Sequence, residues 1–216
     1  GQPSDEDISV LTDDTFQDFV ASHKYVFVMF TSPDCPHCKK AKPQYVKLAQ
    51  KFAGDDKSEV VIALVDTQSG SKTMQRFQVT AYPTFKYFFN GIPIDYKVDR
   101  TERYMTAWLN ARTKDRAIEI TSWEQYETVK KEQLSGLLYL GNKNKKTLTN
   151  FNALAATFVR VKFYFTYLDE VKKDIGASGD AAFLVVRAFD EGNKLLNSKD
   201  LSYETLFKFF EGSRVP

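Results

Sequence analysis

The chain has 216 residues, and its 30 Lys and Arg against 28 Asp and Glu leave a formal net charge of +2. So even a balance excludes an electrostatic case for nucleic acid or a membrane surface as partner, and no apolar run is long enough to span a bilayer. With 43% hydrophobic and 14% aromatic residues the chain has material for one or two globular cores, while its two cysteines cannot make a stapling framework.

Residues 1–7 are polar and read as a mobile lead, and no signal peptide is visible at Gly1-Gln2-Pro3. Ile8 to Leu11 is a short strand. Asp13 or Asp14 is placed to cap the next helix, whose Phe16, Phe19 and Val20 fall at helical spacing. Tyr25 to Thr31 is apolar nearly throughout, as in a central strand covered on both faces. A helix starts at Pro36, a residue suited to the first turn, and Pro43 inside it is expected to kink it. Val60 to Val65 is a second buried strand and Ser71 to Phe77 a short helix. Thr84 to Phe89 and Ile94 to Lys97 form a hairpin around Asn90-Gly91. Thr101 to Arg112 is a helix with Tyr104, Met105, Trp108 and Leu109 on one face.

The same order then repeats. Ala117 to Ile120 is a strand, and Ser122 to Glu132 a helix with Trp123, Tyr126 and Val129 in phase. Leu134 to Leu140 is a strand, Asn150 to Phe158 a helix, Val161 to Tyr167 a strand and Leu168 to Ile175 a helix. Ala182 to Phe189 and Lys194 to Leu196 pair around Asp190-Glu191-Gly192-Asn193, and Ser202 to Phe210 closes as a helix. Two α/β domains of one architecture follow, each a mixed central sheet flanked by helices, spanning 1–114 and 115–216. The second has no cysteine.

The chemistry concentrates at Cys35-Pro36-His37-Cys38, between a predicted strand and a predicted helix, the thioredoxin-type redox arrangement. A structural bridge or half a zinc site is the competing reading, but only His23 and His37 could join the two thiols as ligands. No cofactor is implied. Cys35 precedes the helix, where unpaired backbone N–H groups and the helix dipole favour an anion, so it is the expected nucleophile of thiol–disulfide exchange. A protonated His37 would add positive charge beside it. Cys38, one turn into the helix, is the expected resolving thiol.

The first half resembles the catalytic domain of protein disulfide isomerases. The resemblance rests on Cys35-x-His37-Cys38-Lys39, Pro43, Val65-Asp66, Tyr82-Pro83-Thr84, and Arg100 ahead of Trp108-Leu109. The second half resembles the adjoining redox-inactive domain, on Phe189-Asp-Glu-Gly192 and the helix from Leu201 to Phe210. What this implies is two tandem thioredoxin-like domains acting on disulfides of folding, cysteine-containing client proteins. The compartment implied is the endoplasmic reticulum lumen, which suits an oxidising reaction. Glutathione or an upstream oxidase would reoxidise the pair. Tyr82-Pro83 would be a cis bond facing the disulfide, and with Pro36 would bind extended substrate. Arg100 would swing toward Cys38 and lower its pKa during resolution. The family usually carries further domains and a C-terminal retention tetrapeptide; ending at Arg214-Val-Pro216, this chain is expected to be an N-terminal part of a longer protein.

Several positions depart from the family. Its buried Glu six residues before the first cysteine is here Met29, and that acid's lysine partner is Leu64. Asp34 replaces the usual Trp, and a carboxylate there opposes the Cys35 thiolate. Pro36-His37 replaces the isomerases' Gly-His and matches the bacterial periplasmic oxidant DsbA. The two proteins' potentials are about −120 mV for DsbA and about −180 mV for protein disulfide isomerase, a gap of about 2.8 kcal/mol. An oxidising pair is therefore expected. Two alternatives stand beside this: a disulfide reductase, and a chaperone-like peptide-binding module with little redox activity. Elsewhere, His23 reads as a surface residue and Asp66 as a strand terminator. Lys143, Lys145 and Lys146 read as a solvated loop or helix start. Phe163 to Tyr167 reads as core, some of it available to line a peptide surface.

Overall fold

A computed structural model describes residues 6–132, 135–140, 145–176, 183–188, 192–197 and 201–214. Expectations that fall on residues 1–5, Leu134, Lys143, Ala182, Phe189-Asp190-Glu191 and Val215-Pro216 lie outside it. The chain divides into two compact units, Gly1–Thr113 and Lys114–Pro216.

The first unit runs β1 (Ser9–Leu11), α1 (Phe16–Ser22), β2 (Tyr25–Thr31), α2 (Pro36–Ala53), β3 (Val60–Asp66), α3 (Ser71–Arg76), β4 (Thr84–Phe89), β5 (Ile92–Tyr96) and α4 (Glu102–Arg112). Its sheet has the order β1-β3-β2-β4-β5. β3 is parallel to both β1 and β2, while β4 is antiparallel to β2 and to β5. All seven residues of β2 are buried. Val26, Val28 and Phe30 join Phe16, Val20 and Met74 on the α1/α3 face. Phe27 meets Tyr45, Phe85, Tyr96 and Trp108 on the other face. The Asn90-Gly91 turn has positive φ at both residues, 48° and 81°, as a tight hairpin requires.

Two local readings are corrected here. Asp13 does not cap α1. Its carboxylate crosses to α3, accepting from the backbone N–H of Thr73 at 2.8 Å and of Lys72 at 3.2 Å, and those bonds, the Thr73 amide first, hold its pKa below the ordinary value. Tyr104 lies outside the buried stripe of α4 at 54% exposure; Met105, Thr106 and Leu109 are the buried residues. The α2 helix spans Pro36–Ala53 with Pro43 inside it, where the missing N–H costs it one hydrogen bond.

The second unit repeats the order as β6 (Ile118–Ile120), α5 (Trp123–Val129), β7 (Ser135–Tyr139), α6 (Lys145–Thr157), β8 (Lys162–Thr166), α7 (Asp169–Asp174), β9 (Phe183–Ala188), β10 (Gly192–Asn197) and α8 (Tyr203–Arg214). Its sheet order, β10-β9-β7-β8-β6, is that of the first unit read from the other edge. One face packs Leu138, Phe151, Leu154, Phe163, Leu206 and Phe210 under α6 and α8. The other packs Ile120, Tyr126, Leu137, Tyr164 and Val171 under α5 and α7. Gly136 is dictated by this packing, since a Cβ there would lie 2.6 Å from the Phe163 ring. The α6 helix begins at Lys145, earlier than its apolar periodicity indicates.

Tyr45 ties α2 to the sheet: fully buried, it donates from its hydroxyl to the carbonyls of Phe27 at 2.9 Å and Ala63 at 2.5 Å. Burial raises its pKa well above the ordinary tyrosine value, so it stays a donor. Tyr45→Phe is expected to destabilise the first unit by about 0.5–1.5 kcal/mol through the loss of the buried hydroxyl–carbonyl hydrogen bonding. A lower denaturation midpoint at unchanged slope, followed by Trp108 fluorescence in a Trp123→Phe background, checks this.

Candidate active site

The end of β2 delivers the chain to the first turn of α2. There the helix leaves its leading N–H groups without intrahelical partners, and Cys35 occupies the N-cap with extended backbone, φ −93° and ψ 113°. Its sulfur accepts the Cys38 backbone N–H at 3.2 Å, and its thiol faces the Tyr82 carbonyl at 3.4 Å. The Tyr82-Pro83 peptide is cis. Pro36 fills the first helical position, where a missing N–H removes one unpaired donor.

The two thiols are free, Cys35 half-exposed and Cys38 buried. Their pKa values move in opposite directions. Cys35 is lowered, first by the Cys38 thiol that donates to it, then by the backbone N–H groups of Cys38 and His37 and by the charge of Arg100. Cys38 is raised, first by burial; the Thr31 hydroxyl and the Ser32 backbone N–H pull the other way. The anion is thus favoured at the surface sulfur and opposed at the buried one.

His37 is exposed and presents its backbone N–H, rather than its ring, to the sulfur. Arg100 is exposed in the turn before α4, and its charge reaches Cys35 rather than Cys38 in this conformation. Pro83 and Arg100 line a cleft of about 500 Å³ with Thr84, Lys86, Asp95 and Tyr96. Met29 and Leu64 are register partners across β2 and β3, 0% and 6% exposed. An apolar contact therefore stands where the resemblance expects an ion pair. His23 packs its ring on Phe19, 4.1 Å between centroids, and Asp66 closes β3 by accepting from Gln68 N–H at 2.8 Å. Among the described residues no group of three or more His, Cys, Asp or Glu side chains could hold a metal ion, and no helix is long and apolar enough to cross a membrane.

Sequence reading missed Thr31 and Lys40. Strand alternation from Phe27 and Met29 puts Thr31 on the face beneath α2. Helical spacing from His37 puts Lys40, Ala41 and Gln44 on one stripe beside the motif.

The sheet order, the cysteine pair at the helix cap and the cis peptide together define a thioredoxin fold, and residues 7–111 match the thioredoxin family model. Protein disulfide-isomerase of Drosophila melanogaster is 28% identical over 217 residues, covering 98% of this chain and 42% of that protein. Protein disulfide-isomerase A5 of Bos taurus is 30% identical over 210 residues, covering 93% of this chain and 37% of that protein. The crystal structure of human ERp44 form II has the same fold, with a TM-score of 0.70 at 16% identity over 100% of this chain and 60% of that one. The first unit carries a thioredoxin-family domain, and along nearly its whole length the chain is similar to protein disulfide-isomerases, which supports a thioredoxin-like protein of that family. The chain spans about two fifths of the length of these curated relatives.

In the reduced protein, thiolate absorbance is expected to show one thiol titrating below the ordinary value of about 8.5 and one above it. The first step disappears in Cys35→Ser. Cys38→Ala removes the largest stabiliser of the Cys35 thiolate, so the remaining step moves to higher pH and alkylation by iodoacetamide at neutral pH slows. Because the folded pKa of Cys35 is lowered, its contribution to stability is fully present above the unfolded thiol value. It is lost as pH falls through the folded value.

Proposed function

We propose that this chain is a thiol–disulfide oxidoreductase and isomerase acting on cysteine-containing client proteins in the endoplasmic reticulum lumen. The observation that carries the reading is the Cys38 N–H donating to Cys35 Sγ at the cap of α2, with the second thiol buried one turn further in. The relatives' names support the chemistry.

In the oxidising direction a client thiolate attacks Cys35 Sγ, and the Cys35–Cys38 bond breaks. Cys38 leaves as a thiolate and takes a proton. A second client thiolate then attacks the client sulfur of the mixed disulfide, releasing Cys35 as a thiolate. Two electrons pass from client to pair, and glutathione disulfide or an upstream oxidase restores the disulfide. In isomerisation Cys35 opens a wrong client disulfide, and the client's own thiol displaces it. If none does, Cys38 attacks Cys35 Sγ and frees the client. Lowering the Cys35 pKa stabilises the reduced pair and makes the disulfide a better oxidant. Pro83, Tyr82 and Pro36 border the ground over which an extended client segment would lie. The second unit, without cysteine, serves as spacer and part of the client surface.

The potential of the pair in glutathione buffers is expected at or above about −180 mV, with Cys35→Ser inactive in refolding a reduced client. A value below about −230 mV would make the chain a reductase. Client activity retained in Cys35→Ala/Cys38→Ala would make it a binding module.

The apolar Met29–Leu64 contact leaves Cys38 without a buried acid to accept its proton, so resolution of mixed disulfides is slow. Met29→Glu alone strands a charge in a fully buried position, at about 3–5 kcal/mol. Met29→Glu with Leu64→Lys is expected to recover part of that stability and to shorten the lifetime of the mixed disulfide in stopped-flow exchange. An unchanged lifetime counts against the proton-relay argument.

A further inference from the structure

A second cleft, of about 440 Å³, lies between α2 and the start of α4, lined by His37, Lys40, Gln44, Asp99, Arg100 and Thr101. Its acceptors are engaged. The Gln44 side-chain oxygen takes the Glu102 backbone N–H at 2.9 Å, and the Asp99 carboxylate takes the Thr101 backbone N–H at 2.9 Å. Glu102 itself is drawn to Lys51 at 3.2 Å and to the Thr106 hydroxyl at 3.1 Å. Its cations are not engaged: neither Lys40 nor Arg100 has an ion pair or side-chain hydrogen bond among the described residues. No acidic residue stands in the first turn of α2. Asp99 is the one carboxylate in the wall, set against two permanent cations.

The cleft beside Pro83 differs. Its Lys86 is neutralised by Asp95 at 2.7 Å. Arg100 lines both clefts, so a reactant seated along the first meets the second at that side chain.

We infer that the cleft between α2 and α4 receives a carboxylate carried by the disulfide reactant, so that exchange at Cys35 favours substrates with an acidic group near their cysteine. The inference rests on the exchange reading above and names the substrate class for that site. Arg100 can take a carboxylate through two parallel N–H donors, and Lys40 adds a point charge. An acidic residue of a client segment and a small peptide disulfide both carry such a carboxylate; the chemistry is the same.

The test compares second-order exchange rates, within each protein variant, for two matched pairs of disulfides. One pair is a short peptide disulfide with Glu beside the cysteine and its Gln counterpart. The other is oxidised glutathione and its ethyl ester. Wild type is expected to prefer the acidic member by about three- to fivefold, as an exposed charge pair allows, and to lose the preference at high salt. Lys40→Gln is expected to reduce it and Lys40→Glu to abolish or reverse it. Lys47→Gln, which removes the same charge from the same helix outside the cleft, is expected to keep it. A preference confined to the peptide pair assigns the cleft to client segments, and one confined to the glutathione pair assigns it to small thiols. No preference in either pair, or an equal loss in Lys47→Gln, overturns the inference. The S-methylated acidic peptide, which cannot exchange, separates the two readings. Amide shifts at Lys40 and Thr101 with no exchange of any disulfide would overturn the proposed function and keep the cleft as an anion site. Exchange without those shifts would overturn the cleft.

Discussion

A strand with all seven residues buried cannot leave any backbone group unpaired, and that constraint on β2 organises the first unit. β3 on one side and β4 on the other satisfy its N–H and C=O groups. Apolar side chains on both faces then require helices above and below, which α1 and α3 supply on one face and α2 and α4 on the other. The chain leaves β2 at its C-terminal end, where the sheet stops and solvent begins. A helix starting there has unpaired N–H groups aimed at whatever caps it. In this chain the cap is a sulfur.

Placing that sulfur at a helix start and its partner one turn inward divides the labour between two chemically identical groups. Cys35 collects hydrogen-bond donors and a distant cation without losing water altogether, and its anion is favoured. Cys38 loses water, and its anion is opposed. The difference comes from position along α2 and not from any special residue type. The Asp34 carboxylate, a plausible opponent of the thiolate on sequence grounds, is not among the groups that set the direction at Cys35. The helix terminus and the neighbouring thiol outweigh it.

The parts of this design legible in the sequence were those with a strong local signature. A run apolar on every residue marks a doubly covered strand, Asn90-Gly91 marks a tight hairpin, and a cysteine pair before a proline marks a helix cap. Legibility failed where the partner is distant in sequence. Asp13 and Thr73 are 60 residues apart, so a short acidic side chain ahead of α1 read as its cap when it is the cap of α3. Tyr104 read as core because apolar character and helical phase both allow it, but tertiary packing turned the stripe toward Thr106. Lys40 was invisible for the opposite reason. A lysine on a polar helix face looks solvated whether or not a cleft lies beside it, and only the approach of Arg100 from the turn before α4 distinguishes the two.

The second unit shows what the fold does without the chemistry. It keeps the element order and the sheet topology, and it builds its own cores from large aromatics such as Phe151, Phe163 and Phe210. Its α5/α7 face is fastened by buried tyrosines donating to carboxylates: Tyr126 to Asp174 at 2.6 Å, Tyr139 to Asp169 at 3.0 Å and Tyr164 to Glu132 at 2.7 Å. Tyr164 is correspondingly pushed up to about 12, burial being the main cause and the Glu132 carboxylate the second. In the first unit the buried tyrosine, Tyr45, points at the sheet backbone. The α2 face it shares with Cys38 holds apolar Met29 and Leu64 rather than acids. Carboxylates bonded to tyrosine hydroxyls are thus built into the cysteine-free unit and kept out of the layer beneath the thiol pair. A buried carboxylate near Cys38 would add another titrating group to a site that favours the anion at one sulfur and opposes it at the other. Its exclusion leaves the division between Cys35 and Cys38 to the bond between the two thiols, burial, the helix terminus and the charge of Arg100.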